Sequence, residues 1–165
     1  MTIDPQELLA PRHAPGEDAR PLVASLVGGV VGVVVMLFID RIVPSPAPNQ
    51  MLWPALLGST LPLASTAGAV SVMAAAGALA ALVFTYGQFR RFVPGEPWQV
   101  GLAWGGVCLA IVGPMLLPRS APWLQASAGG DANAAVVAAA LIVLEATAGL
   151  LAYGVCVGVA NPRRQ

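Results

Sequence analysis

AAVVAAALIVLEATAGLLAYGVCVGVA, residues 134–160, decides the fold. Its length exceeds the ~20 apolar residues that a helix needs to cross ~30 Å of hydrocarbon. It holds one charged side chain, Glu145. Working outward, three further stretches have the same character, at about 98–117, 65–89 and 22–43. The reading is an all-α, polytopic membrane protein with four transmembrane helices in an up-down bundle over residues 21–160. A polar N-terminal tail, residues 1–20, precedes the bundle, and a short C-terminal tail, residues 161–165, follows it.

Composition agrees. Hydrophobic residues make up 57% of the chain and charged residues 10%, against about 25% charged in a soluble domain. The first stretch is longer than a signal-peptide apolar core, and Asp4, Glu7, Glu17 and Asp18 precede it, so it reads as a span.

Several chemistries are excluded. There is no lysine, hence no Schiff-base or Walker-type lysine. The single histidine, His13, lies in the tail, so bis-histidine haem ligation and a histidine-based zinc site within one chain are ruled out. Cys108 and Cys156 lie in apolar stretches at different expected depths, which speaks against a bridge between them. The loops hold no nucleophile–base pair, phosphate cradle or metal cluster. No basic patch suggests nucleic acid. The expectation is a non-enzyme with no metal site and no cofactor of its own, leaving lipid or pigment contact open.

Arginine sets the topology. Arg12, Arg20, Arg90, Arg91, Arg163 and Arg164 share one side, and Arg41 and Arg119 the other. That bias puts both termini in the cytoplasm and the chain in a plasma or inner membrane. Trp53, Trp98 and Trp123 flank the spans and read as interfacial anchors.

In the tail, Asp4, Pro5 and Glu7 form a helix-start signature followed by Leu8, Leu9 and a stop at Pro11. Pro44, Pro46 and Pro48 favour extended backbone, and Met51 to Leu57 should lie on the outer interface. Residues 118–133 read as the second outer loop, with Asp131 or Asn133 capping the last helix. Pro114 should loosen the outer end of the third span.

The spans are rich in small residues. Ala24, Gly28 and Gly32 line one face of the first. Gly77 shares a stripe of the second with Ala69 and Ala81, while Ala67, Ser71 and Ala75 line another. Gly101 and Gly105 pair in the third; Gly149, Gly154 and Gly158 mark the fourth. Small residues four apart let helix backbones approach closely, which drives association in lipid. The second span is small on nearly every side, more than one bundle can use.

Glu145 is the sharpest functional lead. An ionised carboxylate in a span costs at least ~2.5–3.5 kcal/mol, so it should be protonated, hydrogen-bonded or open to a proton or ion path. Ser71, Thr85, Trp104, Thr147 and Tyr153 are the candidate partners, Ser71 and Trp104 the nearest in expected depth. Asp40 and Arg41 are expected at the outer interface. The run LEATAGLLAYGVCVGVA, residues 144–160, is locally similar to the glutamate helix of the double-hairpin rotor proteolipids of rotary ATPases. The two halves show no internal repeat, residues 118–133 lack the polar stalk-gripping turn, and the first and third spans lack the glycine ladder, so membership is not assigned.

Two functions compete. One is a non-catalytic integral subunit of a larger respiratory, photosynthetic or transport complex, with the bilayer and other membrane chains as partners. The other is a small proton- or cation-coupled transporter or channel component that uses Glu145, with a homo-oligomer as its natural form.

Overall fold

The computed structural model describes residues 19–43, 52–60 and 65–161. The expected tail turn at Asp4, the proline run at 44–48 and the tail beyond 161 lie outside them. The elements are α1 (Ala19–Ile42), α2 (Leu52–Thr60), α3 (Thr66–Tyr86), a 3-10 turn (Phe89–Arg91), α4 (Pro97–Ala128) and α5 (Ala132–Ala160). Helices α1, α3, α4 and α5 are each long and apolar enough to cross a membrane, and together they form a four-helix bundle.

The local chemistry of the boundaries explains where the helices start and turn. Ser65 Oγ accepts from Gly68 N–H at 3.1 Å and opens α3. At α4, Pro97 occupies the first helical position and Gln99 Oε1 accepts from Glu96 N–H at 2.8 Å. Asp131 Oδ1 accepts from Asn133 N–H at 2.8 Å and opens α5. Between α4 and α5 the chain reverses through Gly129 (φ 49°) and Gly130 (φ 94°), a left-handed pair that side chains with a Cβ rarely adopt.

Helix α1 lies between α3 and α5, and α5 between α1 and α4. At one end α3 and α4 are joined by Phe84, Phe89 and Trp104, whose ring centroids are 5.1–5.9 Å apart. Toward the other end α2 packs against both. Its Leu52, Trp53 and Pro54 are buried. The segment expected on the outer interface is thus a short helix whose first turn is set into the bundle.

Helix α4 also departs from expectation. Residues 118–128, read as loop, continue the helix through Pro114, Pro118 and Pro122. The three prolines fall four apart and all are exposed. A proline removes one donor to the residue four back, while its φ suits a helix. Stacked on one outward face, they leave the face toward α5 intact, and packing against α5 holds the helix together.

The outward surface is apolar, unlike that of a water-soluble bundle. Phe38, Ile42, Leu79, Ile111 and Val136 are more than 60% exposed, whereas Ser25, Asp40, Ser120, Glu145 and Asn161 are buried. Outward apolar side chains, with the few polar groups of the spans turned inward, suit a hydrocarbon solvent.

Glycine contacts set the spacing. A Cβ on Gly28 would meet Ala160 Cβ at 2.6 Å, and one on Gly32 would meet the Tyr153 ring at 2.6 Å. Gly77 faces Val33 and Gly29. Gly29, which the sequence reading passed over, would press a Cβ against Gly77 O at 2.6 Å. Gly101 and Gly158 meet each other as well as Gly154 and Pro97, and Gly105 meets Leu150 O at 2.5 Å. Ala24 is half-buried. The Tyr153 O–H donates to Gly77 O at 2.5 Å, tying α5 to α3 behind α1. Tyr153→Phe should therefore cost about 1 kcal/mol. Tyr153→Ala, which also empties the ring's slot, should cost about 3–5 kcal/mol. Thermal unfolding in detergent separates the two.

Candidate functional site

Helices α1 and α5 run antiparallel, in register one turn at a time. Gly28 meets Ala160, Gly32 meets Tyr153, and Met36 reaches to 2.8 Å from the Cβ position of Gly149. The next turn brings Asp40 beside Glu145. Glu145 therefore lies level with the last turn of α1. The sequence reading put it near mid-span; residues 132–144 of α5 run on past it with the proline-bearing half of α4.

Both acids are buried, Glu145 at 0% and Asp40 at 3% exposure. Asp40 was expected at the interface. Instead its Oδ1 accepts from Leu52 N–H at 2.8 Å and its Oδ2 from Trp53 N–H at 3.1 Å. Those are two of the amides that a helix N-terminus leaves without an internal acceptor. The carboxylate of α1 thus seats α2 by its first turn, where the helix dipole also favours negative charge.

Glu145 has no such donors: among the described residues, nothing donates to either oxygen. None of the partners foreseen for it serves. Ser71 is exposed and donates to Ala67 O at 2.9 Å. Thr85 donates to Ala81 O at 3.0 Å at the far end of α3. Tyr153 is committed to Gly77 O, and Trp104 packs among the phenylalanines with its Nε1 unpartnered. One turn from Glu145, Trp53 Nε1 is buried without a partner among the described residues, 3.5 Å from the Cβ position of Gly149. Trp53, read as an interfacial anchor, thus points its indole into the bundle. Trp98 is 48% exposed. Trp123 lies in α4, its side chain outside the described ones.

A second polar group sits at the opposite end and is hydrogen-bonded across three helices. Ser25 Oγ lies 2.7 Å from Thr85 Oγ1 and donates to Pro21 O at 2.6 Å or Asn161 Oδ1 at 3.1 Å. Asn161 Nδ2 donates to Val157 O at 2.9 Å. It pins α1, α3 and α5 together. Cys108 and Cys156 are free thiols, both half-buried.

Fold and burial pattern define a polytopic helical membrane protein with an acid pair buried at one end. No family model matches this chain, and no curated protein and no solved structure matches it.

Proposed function

We propose that this chain is a non-catalytic integral subunit of a larger membrane protein complex, of the respiratory, photosynthetic or transport kind. The observation that carries the reading is a small-residue face that the bundle leaves open. On α4, Gly101 and Gly105 are filled by α5, but among the described residues a Cβ on Gly106 or Gly113 would meet nothing within 4 Å, and Ala110 between them is exposed. Those three fall at i, i+4 and i+7, one helix face. On α3, Ala67, Ser71 and Ala75 are exposed in the same spacing. Such faces offer little to lipid and much to another helix, whose backbone they let approach. The arginine distribution supports both termini on the cytoplasmic side of a plasma or inner membrane.

Purification in a mild detergent, followed by native mass determination, tests this. Different chains should be retained at fixed stoichiometry. Gly106→Leu with Ala110→Leu should release them and leave the monomer's unfolding temperature unchanged. A homogeneous self-oligomer lacking other chains sinks the reading.

A second reading is favoured by one observation, the burial of Asp40 beside Glu145. Paired intramembrane acids suit a proton- or cation-coupled transport component, and the self-oligomer outcome would support it.

A further inference from the structure

We infer that Asp40 and Glu145 form a binding site for a single proton, which Glu145 carries and Asp40 accepts. The argument is chemical. Both oxygens of Asp40 accept backbone N–H groups, the arrangement that suits a carboxylate. Glu145 stands next to it with 0% exposure and, among the described residues, no donor to either oxygen. As a carboxylate it would be an unpaired buried charge facing a like charge, which two neighbouring acids cannot sustain. As a carboxylic acid it becomes a donor, and Asp40 is the acceptor at hand. One proton then satisfies both groups and leaves the pair with a single negative charge, set against the amino end of α2.

No described side chain supplies a compensating positive charge. Helix α2 carries no titratable side chain, and α3 has Tyr86 alone, at its far end. Tyr153 and Cys156 on α5 lie two or more turns along the helix from Glu145, and neither they nor Cys108 on α4 can supply a positive charge. Arg41 follows Asp40 but is exposed. Arg119 lies on the outer half of α4, its side chain outside the described ones. The site goes beyond the subunit reading: it holds whether the chain assembles with others or alone.

The test is infrared spectroscopy of the full chain in lipid vesicles at neutral pH, with hydrogen–deuterium exchange to mark protonated carboxyls. The wild type should show a protonated-carboxyl band that Glu145→Gln removes. Asp40→Asn should move that band, because the acceptor changes from an anion to an amide. Glu145→Gln keeps a donor toward Asp40, so the 19F signal of fluorotryptophan-labelled Trp53, assigned with Trp53→Phe, should stay where it is. Absence of a Glu145-dependent band overturns the proposal. So does a band at the same position with and without the Asp40 substitution. Loss of the band on adding sodium or calcium would show a metal-cation site instead and would equally overturn it.

Discussion

Gly154→Val is expected to prevent α4 and α5 from closing on one another. A Cβ at Gly154 falls on Gly101 O and would lie 2.6 Å from Gly105 N and 2.8 Å from Gly105 Cα. All three are backbone atoms, so no rotamer change relieves the clash. The reverse contact is equally tight, since a Cβ at Gly101 falls on Gly154 O. Overpacking a core commonly costs about 1–3 kcal/mol when side chains can give way. Here two helix axes must separate along their whole contact, so the loss should reach about 3 kcal/mol or more. The readout is the unfolding temperature and folded yield in detergent. Gly106→Val is the control. It lies one residue from Gly105 on the same helix but meets nothing within 4 Å, so the isolated chain should tolerate it. Equal damage at both positions would mean that the glycine-mediated approach of α4 to α5 is not what holds them.

The difference between those two glycines shows how far the sequence can be read. The spans are legible because the bilayer imposes one requirement, length of apolar helix, and residues 134–160 state it directly. Which small residues touch is a matter of rotation about each axis. Gly101, Gly105 and Gly154 were legible as members of stripes, but Gly29 was not, because Gly28 and Gly29 are adjacent and the i, i+4 pattern assigns the contact to only one of them. The end of α4 was misread because proline is judged by its own missing donor. What rescues PRSAPWLQASA as helix is the spacing of Pro114, Pro118 and Pro122, which puts every missing donor on one outward face.

The candidate site was half legible. Glu145 announces itself as the lone charge within a span. Asp40 does not, because Asp-Arg at a helix end is the usual look of an interface. Its burial depends on a long-range fact, the return of residues 52–54 into the bundle. Trp53 was misread for the same reason: indole at a span's edge is ordinarily an anchor, and only the seating of α2 turns it inward.

That seating leads to the second large effect. Asp40→Ala should unseat the first turn of α2. The substitution leaves the Leu52 and Trp53 amides without an acceptor in a buried setting, at roughly 1–3 kcal/mol for each. Water is not at hand to replace the carboxylate, since Leu52 is 0% and Trp53 6% exposed. Asp40→Asn keeps one carbonyl oxygen and should keep one of the two bonds, placing its unfolding temperature between wild type and alanine. Leu52→Ala tests the same element from its apolar side, and a fully buried leucine should cost about 2–5 kcal/mol. The two losses should not add. Once α2 has left its seat, its leucine no longer contributes, so the double variant should be little worse than the poorer single one. Full additivity of Asp40→Ala and Leu52→Ala would mean that the carboxylate does not hold α2 in place. The same lack of additivity should extend to Trp53→Ala, because its amide and its indole ride on one turn of helix.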